Sequence, residues 1–278
     1  MNTLKKSFSK RLTWINNRSS AIFPLDLNNG SDFCLMFLNY WKLKNNIKDL
    51  KCFVSLIYEN GNTYQKKLFK IRQHNEISMS KDFKIKNFRG IANIEFKSKK
   101  NLRFPFPAVT GFYISPNGLI SCVHSAGRFL NENEKSNKKQ MFNETNFSLK
   151  FSKNKKITPF FSLFKYEDVK KDDFIKVTLK YKNKKRKISK NIKNQLKKPF
   201  SNKIFYLDSF FNENELSNAS HCIVTTNFKN IFPRMICGNF YKIPHHYEVT
   251  HSFSVQKNNN DLINNNFLKN KSIKHLSY

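Results

Sequence analysis

Two stretches of this chain spell nearly the same strand: VSLIYEN at residues 54–60 and VTLKYKN at 177–183, sharing the pattern V-[ST]-L-x-Y-x-N. Further matches follow in the same order. Pro107 answers Pro233, Gly111 answers Gly238, and His124-Ser125 answers His251-Ser252. The spacing between partners drifts by only a few residues, as expected when matched strands are joined by loops of slightly different length. A self-similarity of this kind dictates architecture before any motif is read, because each copy must be one structural unit.

The period within each copy is two. Ile175, Val177, Leu179 and Tyr181 alternate with Lys176, Thr178 and Lys180, the pattern of a half-buried strand. In the first copy the matching run leads into Asn60-Gly61, a hairpin signal. Other apolar runs at 33–41, 91–96, 109–114, 119–123, 160–164, 221–226, 234–241 and 247–255 are broken by Pro, Gly and Asn. One short helical stretch is expected at 207–216. These runs predict an all-β chain of two tandem β-sandwich domains related by internal duplication.

The expected boundaries are a basic leader at 1–21, a first sandwich at 22–133, a basic polar linker at 134–156, a second sandwich at 157–256, and a disordered polar tail at 257–278. The leader is acid-free and amphipathic enough to be weighed as a membrane-surface or targeting segment. A chain of 278 residues can bury a core in each half.

Composition matters most through charge. The formal net charge is +32, with 51 Lys and Arg against 19 Asp and Glu, which suits a polyanionic partner and equally suits plain enrichment in Lys and Asn. The five cysteines form no C-x-x-C pair and sit in apolar runs, so buried free thiols in a reducing, cytoplasmic setting are expected. No apolar run is long enough for a membrane-spanning helix. Only seven glycines occur, and no phosphate-cradling G-x-G-x-x-G or Walker pattern is present.

The segment FPRMICGNFYKIPHHYEVTHSF, residues 232–253, has the look of an active site. Counting by twos places His251 with Tyr247, Val249 and Phe253, and His124 with Ile120, Cys122 and Ala126, so both histidines are expected to face the core. Adjacent His-Ser pairs point to opposite faces of a strand and make no nucleophile–base couple. His245 and His246 are expected as an exposed pair in a Pro-led turn, and Gly238 at a turn shared by both copies. No catalytic residue, metal ligand set or cofactor site is assigned. Candidate ligand-binding residues are Arg103, Arg128, Arg234, Tyr113, Tyr241, His245, His246 and Glu248, where guanidinium groups and aromatic rings could cooperate on an anion or sugar. A basic patch is expected at Lys184, Lys185, Arg186 and Lys187, within the acid-free run 176–198.

The functional expectation is therefore a non-enzymatic binding or scaffolding protein for an anionic or glycan-type ligand linked to surface-polysaccharide metabolism. Two alternatives stand beside it. One is a hydrolase or metal-dependent enzyme using the region of His251, Glu248 and Arg234. The other is a nucleic-acid-binding protein using run 176–198, which is not favoured.

Overall fold

The computed structural model describes residues 18–28, 30–97, 109–124, 143–165, 170, 172–182, 186–228 and 235–254. Arg103, Pro107, Ser125, Arg128, Lys184, Lys185, Pro233 and Arg234 lie outside them, as do most of the expected leader and the whole of the expected tail.

The chain is all-β and sandwich-like. The first half carries β1 (Arg18–Leu27), β2 (Asp32–Leu38), helix α1 (Tyr40–Asn45), β3 (Lys51–Tyr58), β4 (Thr63–Phe69), β5 (His74–Ser78), the one-turn helix α2 (Met79–Asp82), β6 (Phe88–Lys97), β7 (Val109–Ile114) and β8 (Ile120–His124). The second half carries β9 (Asn143–Ser148), β10 (Ile157–Phe164), β11 (Ile175–Tyr181), β12 (Lys187–Ile192), β13 (Asn202–Tyr206), a 3-10 turn (Leu207–Ser209), α3 (Glu213–Ser217), β14 (Ala219–Thr226), β15 (Ile236–Tyr241), β16 (His246–His251) and β17 (Phe253–Ser254). All pairings are antiparallel.

Strand order repeats between the halves. The sheets of the first half run β1-β6-β3-β4 and β5-β2-β7-β8; those of the second run β9-β14-β11-β12, extended by β17, and β13-β10-β15-β16. The sequence-matched strands β3 and β11 therefore occupy the same place in their sheets, and so do β7 and β15.

Several local expectations meet their structures directly. β11 buries Ile175, Val177, Leu179 and Tyr181 and turns Lys176 and Lys180 outward. Asn60-Gly61 closes the β3–β4 hairpin, with Gly61 at φ +89°. The stretch 207–216 supplies the 3-10 turn and α3, whose capping box pairs Asn212 with Glu215.

Others are corrected. The run 33–41 ends as a strand at Leu38: Asn39 accepts a hydrogen bond from the Lys42 N–H at 3.2 Å and starts α1, which stops at Asn46 in the left-handed region. The leader's last residues already belong to β1. The supposed linker contains β9, which lies between β14 and β17 and buries Thr145 and Phe147. Its polar outer face conceals the alternation, because an antiparallel sheet can leave one side to water.

The sandwiches are knitted together. Ile22, Ile57 and Ile91 of the first half pack in the core of the second, while Phe160, Ile204, Ile236, Phe240 and Tyr247 of the second pack in the core of the first. Coverage on both faces explains why all eight residues of β10 are buried and why β1 and β6 lack clean alternation. At one point the contact is made by backbone: the Asn202 N–H donates to the Glu59 carbonyl at 3.0 Å, and Asn202 Nδ2 donates to the Tyr58 carbonyl at 2.9 Å. A Cβ on Gly61 would lie 2.3 Å from the Pro199 carbonyl oxygen, so the hairpin glycine also permits this close approach.

Candidate functional site

The histidine-rich segment forms β15, a tight turn and β16. Gly238 is not at a turn. It is the third residue of β15, as Gly111 is of β7, and each stands opposite a valine, Val249 and Val123. Their glycine character has different causes: at Gly238 a Cβ would strike the Glu248 carbonyl oxygen at 1.9 Å, whereas at Gly111 it would enter the rings of Phe23 and Phe33 at 2.7 Å.

This registration corrects the histidine match. With Val123 and Val249 equivalent across from the glycines, His124 is one residue out of step with His251, and a one-residue slip reverses the face. β8 accordingly points Val123 inward and leaves Ile120, Cys122 and His124 exposed. His251 is half-buried on the side of Tyr247 and Val249. The two rings nevertheless meet, with centroids 4.6 Å apart, where β8 approaches β16. Ser252 is fully buried and exchanges two hydrogen bonds with Met235, its N–H donating to the carbonyl and its Oγ accepting from the N–H, both at 2.9 Å. It pins the strand rather than serving as a nucleophile.

His245 and His246 are half-buried, not an exposed pair. His245 packs edge-on against Phe240 at 5.1 Å, and its Nε2 lies 3.4 Å from the Asp26 carbonyl oxygen. Burial pushes the His246 imidazole below its ordinary pKa, against the opposing pull of Glu248. Glu248 accepts from Asn239 Nδ2 and from the Tyr241 hydroxyl, each at 3.1 Å. Tyr113, a candidate surface aromatic, is buried and donates to the Pro24 carbonyl at 2.9 Å. Its position on the inward face of β7, beside Phe33, removes it from any binding surface.

Sequence reasoning missed the cluster where the halves meet. Asp26, at the end of β1, is buried, and the hydroxyls of Tyr247 and Tyr206 converge on its Oδ2 at 2.8 and 3.2 Å while touching each other. Asn28 Nδ2 donates to the other oxygen. Burial raises both phenols far above the ordinary tyrosine value; the charge of Asp26 adds to this at each. The cluster holds the Asp26 carboxyl group between the two halves of the chain. Nothing in the sequence linked Asp26 to tyrosines so far along the chain.

Of the expected basic patch, Arg186 lies over the Tyr181 ring at 4.7 Å and Lys187 opens the edge strand β12. Lys190, further along the same run, is held by Glu215 at 2.8 Å and by the Phe210 carbonyl at 3.0 Å. Four of the five cysteines are buried free thiols and Cys122 is exposed; burial pushes the Cys52 thiol up to about 12.

A sizeable concave feature of the described surface lies elsewhere. A cleft of about 570 Å³ opens at the end of the first sandwich, where α1 and the strand β3 it leads into meet the end of β4. Lys42, Lys48, Lys51 and Lys70 line it over a floor that includes Leu50 and Phe69, and no acid contributes to the lining. A second cleft of about 360 Å³ shares Phe69 and Lys70 with it and adds Arg72 and His74.

No family model matches the chain, and no curated protein matches it. A solved structure titled "Biofilm associated protein - BSP domain" is similar at 9% identity, covering 92% of this chain and 62% of that one, with a TM-score of 0.24. The chain thus spans less than two thirds of that structure's length, and a likeness at this level carries no argument about function. No helix among the described residues is long and apolar enough to cross a membrane.

Proposed function

We propose that this chain is a non-enzymatic binding or scaffolding protein of two tandem β-sandwich domains that arose by internal duplication, with an anionic, glycan-type ligand linked to surface-polysaccharide metabolism in the cytoplasm. The repeated strand order supports the duplication.

The observation that carries the ligand class is the fate of the acids. Asp26 is enclosed by tyrosines, Asp32 is ringed by Ser78 and Ser80, Asp173 binds Lys165 and the Lys170 N–H, and Glu215 caps α3 while holding Lys190. With these acids committed internally, the excess of lysine faces solvent, as Lys176 and Lys180 do on β11. A surface of that kind attracts anions in a salt-dependent way.

Of the side chains that suggested an enzyme, Glu248 accepts from Asn239 and Tyr241 and His251 packs beside His124, while Arg234 lies outside the described residues. The test is a glycan array probed with the whole protein across a salt series. Acidic glycans should be retained at physiological salt and released as salt rises, while neutral glycans are not retained. A flat array overturns the reading.

A further inference from the structure

We infer that the lysine-lined cleft at the end of the first sandwich is the ligand site, and that it takes a linear oligosaccharide bearing carboxylates. This inference rests on the anionic-glycan reading above and assigns it a place.

Four features of the cleft carry it. First, Lys42 of α1, Lys48 of the turn after it, Lys51 at the start of β3 and Lys70 just past β4 all line one concavity without an acid among the lining residues. Like charges gathered over low-dielectric walls focus the field on whatever enters. Second, the floor is apolar: Ile47 is buried, Leu50 and Phe69 are half-buried, and Leu68 is 59% exposed at the rim. Exposed apolar surface rimmed by charge is the composition of a site rather than of ordinary surface. The C–H faces of a sugar ring can lie on it while carboxylates reach the ammonium groups.

Third, a neighbouring cleft with Arg72 and His74 shares Phe69 and Lys70 in its lining. The second cleft also contains Glu76 and Asp82, of which Asp82 is occupied in accepting the Ser78 N–H at 2.7 Å. Two adjoining clefts fit an elongated chain better than a compact metabolite. Fourth, lysine ammonium groups are point charges on flexible stems, suited to carboxylates spaced along a polymer, whereas planar paired recognition of phosphate favours arginine. A single-stranded nucleic acid would further call for a row of aromatic platforms, and the floor of the first cleft offers Phe69 among aliphatic residues.

The experiment is calorimetric titration of the whole protein at about 0.15 M salt with a short oligogalacturonate, a neutral oligosaccharide of equal length, and a single-stranded oligonucleotide of equal charge. The same titrations are run on Lys48→Glu/Lys51→Glu and on the control Lys150→Glu/Lys155→Glu, whose side chains are exposed in the connection between β9 and β10. Oligogalacturonate affinity falling tenfold or more in the first variant and less than twofold in the control supports the site. Equal affinity in wild type and both variants overturns the site and leaves the anionic-glycan reading standing. Tighter binding of the oligonucleotide, lost in the cleft variant, keeps the site but overturns its ligand class. If no acidic glycan binds the wild type at all, the underlying reading fails and the assignment falls with it. Circular dichroism on each variant separates loss of binding from loss of fold.

Discussion

Asp26 is buried between the two sandwiches, and the hydroxyls of Tyr247 and Tyr206 donate to its carboxyl oxygen. Replacing Tyr247 by Phe removes a buried hydrogen bond to a carboxylate and should cost about 1.5–3 kcal/mol of stability in urea unfolding. A pH dependence follows from the same pair. Both phenols have folded pKa values raised by burial above the unfolded value of about 10. Their neutral forms therefore favour the fold fully below about pH 10, and the contribution is lost as pH rises beyond it, where the unfolded chain releases protons the folded one retains. Stability followed from pH 8 to 11 should drop at the alkaline end, and less steeply in Tyr247→Phe, which has one fewer such group. None of this was legible in sequence: the residues of the cluster are distant along the chain, and a tyrosine in an apolar strand does not announce whether its hydroxyl has a partner.

Strands show most plainly how far pattern reading reaches. β11 could be assigned residue by residue, since one face meets the core and the other meets water, and its period survives intact. β9 could not, because Asn143–Ser148 mixes polar residues on both faces and its buried Thr145 looks like a linker residue. Truncating Phe147 to Ala tests its true standing. A linker residue would tolerate the change, whereas a ring 2% exposed in the second core should cost about 3–5 kcal/mol in chemical denaturation. The pairing of His124 with His251 failed for a different reason. The β7–β8 connection holds one residue more than the β15–β16 connection, and identity of letters does not reveal which face a strand turns inward. The lysine cleft escaped detection similarly, for its four lysines are scattered among many others, and only the folding of β4 against the α1 connection brings them together.

At the scale of the molecule, the two sandwiches exchange core residues and share a backbone clamp at Asn202. We expect the chain to unfold as one unit. Calorimetric and van't Hoff enthalpies should agree for the wild type. Asn202→Ala removes the side-chain donor to the Tyr58 carbonyl, which keeps the Gly61 N–H, and should lower stability by about 0.5–1.5 kcal/mol. If the halves instead behaved as independent beads, two transitions would appear and only one would respond to the substitution. Local alternation, turn chemistry and backbone freedom suffice to read the all-β class, most strand positions, the Asn60-Gly61 hairpin and the short helical stretch before β14 directly from the chain. Tertiary structure alone decided that β1, β6 and β10 are covered on both faces, that Asp26 is caged by tyrosines, and that four dispersed lysines frame one cleft. The first two outcomes depend on which surfaces meet across a hundred residues or more, the third on β4 folding back against the α1 connection, and neither kind of contact leaves a period in the chain for a reader to find.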